Sequence, residues 1–382
     1  MLGPLYRGVT GGIEALGLGG SVPLEPCSAG PFDLMLHGAS AGEVRAGDCW
    51  LRFVLQGRPN LRVLRTTGTL TGIRAGADVQ LPRDLPRATA QFFERVAPKA
   101  LVLTEGELWP NLLREASRRG IPIGVVGARL SPRTERGWAL AGSSGRSVLR
   151  LVTAWATAST DARDGLLRLG VAPERVAHAG WLKWPALPSA AKVAERPGAG
   201  GPNFVLGNVY PGEVEMLMAC LKGGPLCPSG SHWTLVLRHA RAETVVRQEA
   251  SSLLPQGSWT VEARFGTLDG LYATADAVFV GGGGKGRGVH DLLAPLAHGH
   301  PPLCFLRRGD PGAVGRTLAP FGLVLPLDAP GRLSASVVPS DEPANAVEAA
   351  LRPSPWAWSR LLAEYDGRES ATAWFEQRGV LQ

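Results

Sequence analysis

Cysteine is scarce in this chain and is not arranged for pairing. The five cysteines are an odd number, are scattered over 382 residues and form no C-x-x-C pair. This pattern argues against a disulfide framework and against a zinc site, so we expect a reducing, cytoplasmic compartment. Long apolar runs are also missing, and without about twenty uninterrupted apolar residues the chain is not expected to span a bilayer. The N-terminus shows no secretory pattern.

Acidic residues are outnumbered by basic ones. Lys and Arg total 40 against 33 Asp and Glu, which gives a net charge of +7 and a pI near 9.5. Such a balance favours anionic partners, namely phosphates, nucleic acid or an acidic lipid surface. Nucleic acid is the weakest of these options, because no basic stretch carries interleaved aromatic residues on which bases could stack. We therefore predict no nucleic-acid partner.

Length and patterning predict two α/β domains. A chain of 382 residues exceeds what one hydrophobic core usually serves. Short apolar runs such as "ALVLTEGE" and "IPIGVVGARL" end in small or polar residues and precede helix candidates. This alternation is typical of parallel βαβ units, which bind ligands beyond the carboxyl ends of their strands. With residues 185–203 as a loose linker, we predict two doubly wound Rossmann-like domains, 1–185 and 203–382, the last helix packing back on the first domain.

A phosphate-binding candidate lies in the second domain. The stretch "ADAVFVGGGGKGRGVHDLL" predicts a strand, a glycine-rich loop and a helix start. Free amides at a helix N-terminus beside two cations suit a phosphate. Gly286 stands where a Walker loop has Ser or Thr, so a magnesium-held triphosphate is not expected. The alternative is a surface loop whose glycines only turn the chain. The candidate residues are Gly282, Gly283, Lys285, Arg287, His290 and Asp291.

Two more basic residues stand at a predicted strand end upstream. Arg238 and His239 in "LVLRHARAE" could reach the same anion. A solvated basic turn would give the same sequence, so both interpretations stay open.

Carboxylates follow two predicted strands of the first domain. In "FDLMLHGASAGEVRAG", Glu43 stands at a strand-to-helix turn, where a general base is well placed, although a glutamate in a first helical turn also interacts favourably with the helix dipole. Glu105 and Glu107 in "TEGELWP" share one face if the strand continues and diverge if it turns. Acidic residues are also common before a helix that starts at Trp109-Pro110. Arg129 could bind an acidic substrate or be a solvated loop residue.

Five blocks stand in order in the first domain: "HGASAGEV", "TTGTLTG", "LPRDLP", "TEGELWPNLL" and "GARLSPRT". Together they resemble the Kdo transferases, which move 3-deoxy-manno-octulosonate (Kdo) from CMP-Kdo to the lipid A precursor. "HGASAGEV" is similar to the family's H-x-x-S-x-G-E, and "TTGTLTG" to its T-T-x-T-x-T-G. "LPRDLP", "TEGELWPNLL" and "GARLSPRT" continue the resemblance. In the second domain "GWLKW", "RHARAE" and "GGGGKGRGVHDLLAPLAHG" resemble the family's G-N-L-K, P-R-H-P-E and final glycine-rich motif.

The resemblance implies a glycosyltransferase B architecture, with the acceptor bound by the first domain and the nucleotide sugar by the second. Glu43 matches the catalytic base, which takes the proton of the acceptor hydroxyl as that hydroxyl attacks the anomeric carbon. One base is sufficient for an inverting single displacement. No D-x-D motif stands at a strand end, and a CMP donor has no diphosphate to clamp, so we predict no metal and no cofactor. The implied acceptor or supporting residues are His37, Ser40, Gly42, Thr67, Glu105, Glu107 and Arg129; Lys183 joins the donor residues.

Departures from the family pattern concern the donor and the membrane. "HDLLAP" has Ala294 where a glutamate that holds the nucleotide ribose is expected, and a methyl group accepts no hydrogen bond. "GNVY" replaces G-S-T-H, Trp181 replaces an asparagine, and glycine-rich sequence replaces the hydrophobic N-terminal anchor. We therefore expect at most peripheral attachment, to the inner face of the cytoplasmic membrane.

Three functional hypotheses follow. The first is a Kdo transferase acting on a lipid or glycan acceptor with CMP-Kdo as donor. The second keeps the glycosyltransferase class and changes the nucleotide sugar. The third is a catalytically silent relative that serves as a binding or scaffold protein. Binding of CMP, UDP, GDP or none of them discriminates among the three.

Overall fold

The chain folds into two α/β units, which we describe separately. Met1–Trp184 with Tyr365–Gln382 form unit 1, and Pro185–Glu364 form unit 2. A computed structural model describes residues 29–182, 202–221, 230–264, 266–284, 289, 292–305, 318, 323–329, 332–333 and 365–381.

Unit 1 is built on a seven-stranded, fully parallel sheet of order β3-β2-β1-β4-β5-β6-β7. The strand order reverses between β1 and β4, which is where open α/β sheets bind ligands. The strands are β1 Leu34–Gly38, β2 Val63–Thr67, β3 Val79–Gln80, β4 Leu101–Thr104, β5 Ile123–Ala128, β6 Ala154–Thr157 and β7 Val176–His178. The helices are α1 Ala41–Gly57, α2 Leu70–Arg74, α3 Pro86–Val96, α4 Pro110–Arg118, α5 Pro132–Leu140, α6 Gly142–Leu149 and α7 Thr160–Arg168, with a 3₁₀ turn at Pro173–Arg175.

The central strands of unit 1 are apolar because both faces of the sheet are covered. Every residue of β1, β4, β5 and β6 is buried, as expected for parallel strands with helices on both sides. Helices α3, α4 and α5 each begin with proline, whose missing N–H loses nothing at the first helical position. Because the strands themselves are buried, polar side chains of unit 1 are found at the edge where the strands end and the helices begin.

Two apolar layers cover the sheet of unit 1. One contains Phe92, Phe93 and Leu112 from α3 and α4, and the other contains Trp50 from α1. The C-terminal helix α12, Gly367–Gln377, contributes Phe375 to the second layer and contacts α1, β5 and β6.

Unit 2 repeats this plan. Its seven strands have the order β10-β9-β8-β11-β12-β13-β14, parallel except for the last pair, and the order reverses between β8 and β11. The strands are β8 Asn203–Val209, β9 His232–Leu237, β10 Trp259–Glu262, β11 Ala277–Val280, β12 Leu303–Cys304, β13 Leu325–Ala329 and β14 Arg332–Leu333. The helices are α8 Glu213–Leu221, α9 Glu243–Leu253, α10 Leu268–Tyr272 and α11 Leu293–Leu296, with a 3₁₀ turn at Ala240–Ala242.

The fold class predicted from the sequence, two doubly wound parallel-sheet domains, is confirmed. Within the described ranges, no helix has the length and apolarity that crossing a bilayer would require.

The contact between α12 and unit 1 predicts a large effect of one side chain. Phe375 is 0% exposed and stands edge-on to Trp50, with the ring centroids 5.6 Å apart. We expect Phe375→Ala to lower the free energy of unfolding by about 3–5 kcal/mol, because a buried aromatic ring leaves a cavity. Denaturant unfolding followed by tryptophan fluorescence measures this loss.

The neighbouring variant Glu376→Ala serves as the control. It removes only a partly exposed ion pair with Arg58, in which the nitrogen and oxygen are 2.8 Å apart. Such pairs contribute at most about 1 kcal/mol. Equal losses for the two variants would contradict the packing role of Phe375.

Candidate functional site

Glu43 occupies the first turn of α1, directly beyond the end of β1. The hydroxyl of Ser40, the N-cap residue, accepts the Glu43 N–H at 3.4 Å, and the Glu43 carboxylate accepts the Ser40 N–H at 3.2 Å. This reciprocal capping box fixes the helix start and the direction of the Glu43 side chain. Gly38 lets the turn close, because a Cβ there would lie 2.5 Å from the Val44 nitrogen. Gly42 is exposed in the same turn.

The environment of Glu43 opposes its ionisation. The side chain is half-buried, and this burial, followed by repulsion from Glu105 and then from Glu107, raises its pKa from 4.5 to about 7. The hydrogen bond from the Ser40 backbone lowers the pKa of Glu43, with less effect than burial or Glu105 but more than Glu107, and the Ala39 backbone lowers it slightly. A carboxyl group with this pKa is poised to accept a proton near neutral pH. Perturbed titration of this kind is typical of functional sites.

Glu105 is held in a backbone conformation that is uncommon for a residue with a side chain. Strand β4 ends at Thr104, and Glu105 then has φ of 62° and Gly106 φ of 106°. Hydrogen bonds fix the turn, because the Glu105 N–H donates to the Val126 carbonyl at 2.9 Å and its carbonyl accepts the Arg129 N–H at 3.0 Å. The chain therefore turns after β4. Strained residues of this kind cluster at functional sites.

The same turn brings a cation to the acidic group. The Arg129 guanidinium lies 3.7 Å from the Glu105 carboxylate and is 53% exposed. Glu107 is exposed and acts on Glu43 through its charge. Four of the residues predicted from the sequence, Glu43, Glu105, Glu107 and Arg129, are thus brought to the carboxyl edge of the sheet around the β1–β4 switch point.

His37 is a buried, neutral member of the site. Burial lowers its pKa to about 4, so the imidazole carries no charge at neutral pH. Its Nδ1 atom lies 3.0 Å from the Thr66 hydroxyl, and its ring stands edge-on to Trp109 at 5.3 Å. Thr67 is also buried, and its hydroxyl lies 3.5 Å from the Ala39 carbonyl. His37 and Thr67 therefore support the strand ends from within, where neither is exposed to a substrate.

The predicted donor residues fall partly within the described residues. Arg238 and His239 are exposed directly after β9, and His239 stands edge-on to Tyr210 with the rings 5.8 Å apart. Within the described part of the chain, neither side chain makes an ion pair. The amide of Gly282 donates to a carboxylate of unit 2 itself, Glu213. Lys183, Lys285, Arg287, His290 and Asp291 lie outside the described residues.

Two structurally important acids were missed by the sequence reasoning. Asp84, within "LPRDLP", accepts the backbone N–H groups of Asn111 at 3.0 Å and Leu112 at 2.8 Å, and so caps α4 from another loop. Glu213 is fully buried at the start of α8. The sequence signal that could have identified Glu213 is its position three residues after Tyr210, because the same spacing joins Glu43 to Ser40 in their hydrogen-bonded turn.

The described residues include no group of three His, Cys, Asp or Glu side chains placed to hold a metal ion.

The raised pKa of Glu43 predicts a pH-dependent gain of stability in Glu43→Gln. Between pH 4.5 and about 7 the folded chain holds a proton on Glu43 that the unfolded chain has released, so wild-type stability falls as pH rises through this window. Glutamine keeps a capping oxygen and does not titrate. We expect the melting temperature of the variant, relative to wild type, to rise from pH 4 to pH 8 in thermal scans.

Asp161→Asn provides the comparison, because Asp161 also lies in the first turn of a helix, α7, but is exposed. The melting temperature of Asp161→Asn should not show this rise relative to wild type. A constant offset for Glu43→Gln would show that ionised Glu43 is not destabilised.

Comparison with known proteins shows which proteins this chain is similar to in sequence. Residues 14–186 match the family model described as 3-deoxy-D-manno-octulosonic-acid transferase (kdotransferase). The chain is 28% identical to the 3-deoxy-D-manno-octulosonic acid transferase of Haemophilus influenzae over 304 residues, covering 71% of this chain and 70% of the relative. It is 28% identical to the enzyme of the same name from Bordetella pertussis, over 70% of this chain and 69% of that one.

Solved structures show the same fold at low identity. A glycosyltransferase from Rickettsia africae matches with a TM-score of 0.63 and 9% identity, over 92% of this chain and 99% of that chain. This likeness concerns the fold, which is the glycosyltransferase B type. Taken together, the family model over residues 14–186 and the sequence relatives make this chain similar, as a divergent relative, to the Kdo transferases, which are glycosyltransferases.

Proposed function

We propose that the chain transfers Kdo from CMP-Kdo to a lipid A precursor or a related acceptor by a metal-independent, inverting displacement. The observation that supports this proposal is that Glu43 lies at the switch point of unit 1 and that its pKa is raised to about 7. The names of the relatives supply the sugar. Unit 1 provides the base and the acceptor contacts, and unit 2 provides the donor contacts.

The reaction needs one proton transfer. The acceptor hydroxyl oxygen forms a bond to the anomeric carbon of Kdo, while the bond from that carbon to the CMP phosphate oxygen breaks. The hydroxyl proton passes to Glu43, and CMP leaves with the bonding electrons. Because attack and departure occur on opposite faces, the anomeric configuration inverts. Glu105 and Glu107 contribute by keeping the Glu43 carboxylate basic, since their charge favours its protonated form.

Cationic side chains are suited to bind the substrate anions. We assign the donor phosphate to Arg238 and His239, which are exposed after β9, together with Lys183, Lys285, Arg287 and His290 on the sequence motif alone. Asp291, which is acidic, is assigned to the nucleotide and not to its phosphate. Gly282 and Gly283 belong to the loop that borders this site. We assign the anionic acceptor to Arg129, whose guanidinium is 53% exposed and lies 3.7 Å from the Glu105 carboxylate. The leaving group, CMP, carries a single phosphate, and these cations are sufficient to balance its charge without a bound metal.

A different nucleotide-sugar donor is the second candidate. Ala294 lies half-buried in α11, where the family pattern has a carboxylate for the nucleotide ribose. Calorimetry with CMP, UDP and GDP separates the alternatives. CMP binding alone supports the proposal, a preference for UDP or GDP supports another donor, and binding of none supports a scaffold role. Incubation with CMP-Kdo and a tetraacyl lipid A precursor, followed by mass spectrometry of the added sugar, tests the activity directly.

The base assignment predicts the behaviour of Glu43→Gln in the transfer assay. We expect the rate to fall by about a hundredfold or more, because the amide keeps the shape but accepts no proton. CMP binding, measured by calorimetry, should be unchanged. The wild-type rate should rise with pH up to about 7, the pKa of Glu43, and then level off, since only the ionised carboxylate is a base.

Asp161→Asn should retain the full rate and the wild-type pH profile, because Asp161 begins a helix without belonging to the acidic group. A rate for Glu43→Gln within a few-fold of wild type would remove Glu43 from the base role.

A lipid acceptor implies that the chain reaches a membrane surface. We propose peripheral binding to the inner face of the cytoplasmic membrane, driven by the net charge of +7 and by the N-terminal stretch "LYRGVTGGIEALGL", which lies outside the described residues. Glycines at positions 11 and 12 each lower the helix propensity of that stretch by roughly 1 kcal/mol relative to alanine. Attraction between charges must therefore supply much of the binding.

Co-sedimentation with vesicles tests this proposal. The chain should bind anionic vesicles at low ionic strength, lose them in high salt because charges are screened, and bind less after deletion of the first twenty residues. Neutral phosphatidylcholine vesicles are the control and should not bind the chain. Salt-resistant binding would indicate insertion instead, and no binding at low salt would argue against a lipid acceptor.

A further inference from the structure

The carboxylate of Glu213 lies inside a ring of backbone N–H groups. Glu213 is 0% exposed and begins α8, directly after β8. It accepts the amide of Gly282 at 2.8 and 3.0 Å, the amide of Gly284 at 3.1 Å, and the amide of Tyr210 at 3.0 Å. A fully buried carboxylate is tolerated here because charge-assisted hydrogen bonds from these N–H groups replace its hydration.

The glycine run after β11 is shaped around this carboxylate. A Cβ at Gly281 would lie 2.5 Å from a Glu213 oxygen, and one at Gly283 would collide with the Phe305 carbonyl. A Cβ at Gly284 would lie 3.0 Å from the Met216 sulfur, and Gly282 has φ of 105°. Each of the four positions thus has its own reason for glycine, in close packing or in backbone conformation. Packing and backbone conformation therefore account for the four described glycines of the loop without a bound phosphate.

Among the described residues at this switch point, the amides of Tyr210, Gly282 and Gly284 already have a carboxylate partner. The first helix of unit 2 also receives a second carboxylate, because Glu249 from α9 accepts the Gly212 N–H. The sequence predicted free amides at the helix start after the glycine-rich loop, and His290 and Asp291 there lie outside the described residues. Within the loop itself, the amides of Gly282 and Gly284 donate to Glu213. An incoming phosphate would have to displace a buried carboxylate to reach them, at the cost of leaving that charge unpaired.

Glu213 and Glu43 hold equivalent places in their units. Each follows the first strand of its sheet, at the switch point, and accepts the backbone N–H of the residue three positions before it. Neighbouring carboxylates surround Glu43, whereas backbone donors surround Glu213. The first environment makes a base, and the second makes a fixed anion.

We infer that Glu213 is a positioning residue of the donor site: an internal anion that holds the Gly281–Gly284 loop in place, so that the donor's phosphate binds side-chain cations such as Arg238 and not the loop amides. This inference rests on the proposed function for the identity of the donor. It differs from a phosphate-cradling loop in the sign of the effect that removing the Glu213 charge has on nucleotide binding.

The test compares Glu213→Gln with Glu215→Gln in the full-length chain. Glu215 lies two residues further along α8 and is exposed, so its variant controls for a lost helix charge. Glutamine at 213 retains the shape but turns an NH₂ group towards N–H donors. We expect the dissociation constant for CMP in calorimetry, and the KM for the donor, to rise about tenfold or more. The KM for the acceptor should be unchanged, and Glu215→Gln should match wild type.

Amide hydrogen exchange gives a readout that does not depend on the donor. Without nucleotide, wild-type Gly282 and Gly284 should be protected, and Glu213→Gln should accelerate exchange in the segment 281–284 by tenfold or more. If wild type binds no nucleotide, the donor assignment fails while accelerated exchange still supports the positioning of the loop. If Glu213→Gln does not fold, Glu213→Asp, which keeps the charge on a shorter arm, should give intermediate exchange.

Three results would overturn the inference. Tighter CMP binding by Glu213→Gln would show that the carboxylate competes with the phosphate for the loop amides. A lower melting temperature with an unchanged dissociation constant and donor KM would restrict Glu213 to general stability. Unprotected Gly282 and Gly284 in wild type, or exchange equal to wild type in both position-213 variants, would show that Glu213 does not hold the loop.

Discussion

The pairing of a glutamate with the backbone N–H three residues before it, at the start of the first helix of each unit, is the interaction on which both candidate sites depend. In each unit the chain leaves a buried parallel strand and must satisfy the free amides of a new helix within a few residues. In both units a glutamate accepts the backbone N–H of the residue three positions before it, and its carboxylate lies at the switch point. What the carboxylate then does is decided by the loop that follows the neighbouring strand.

The loop after β4 raises the pKa of Glu43 and lowers the stability of the ionised site. Glu105 adopts a left-handed backbone conformation, held by hydrogen bonds to Val126 and Arg129, and places a second carboxylate near Glu43. Like charges in a half-buried turn are unfavourable, and the exposed Arg129 guanidinium offsets only part of that repulsion. A site optimised for stability would avoid this arrangement, whereas a site that needs a base near neutral pH uses it.

The loop after β11 has the opposite effect in unit 2. Its glycines bring backbone amides against Glu213, so the same kind of residue becomes a fixed structural charge. The glycine run would suit a phosphate on local pattern, and only the packing of Glu213, Phe305 and Met216 shows what fills the space around it. The anion site of this unit is therefore better sought among exposed side chains such as Arg238 and His239.

The sequence by itself determined the alternation of strands and helices, the polar strand ends and the motif around Glu43, because periodicity, turn residues and caps act over a few neighbouring positions. It offered two roles for Glu43, a favourable interaction with the helix dipole and proton transfer. The structure adds a complete capping box at the helix start and a raised pKa for the carboxyl group. Tertiary structure alone decided the titration of Glu43, the partners of the glycine-rich loop and the packing of Phe375 against Trp50. These depend on groups far apart in the chain, and a local pattern carries no information about which distant charge or ring will arrive beside it.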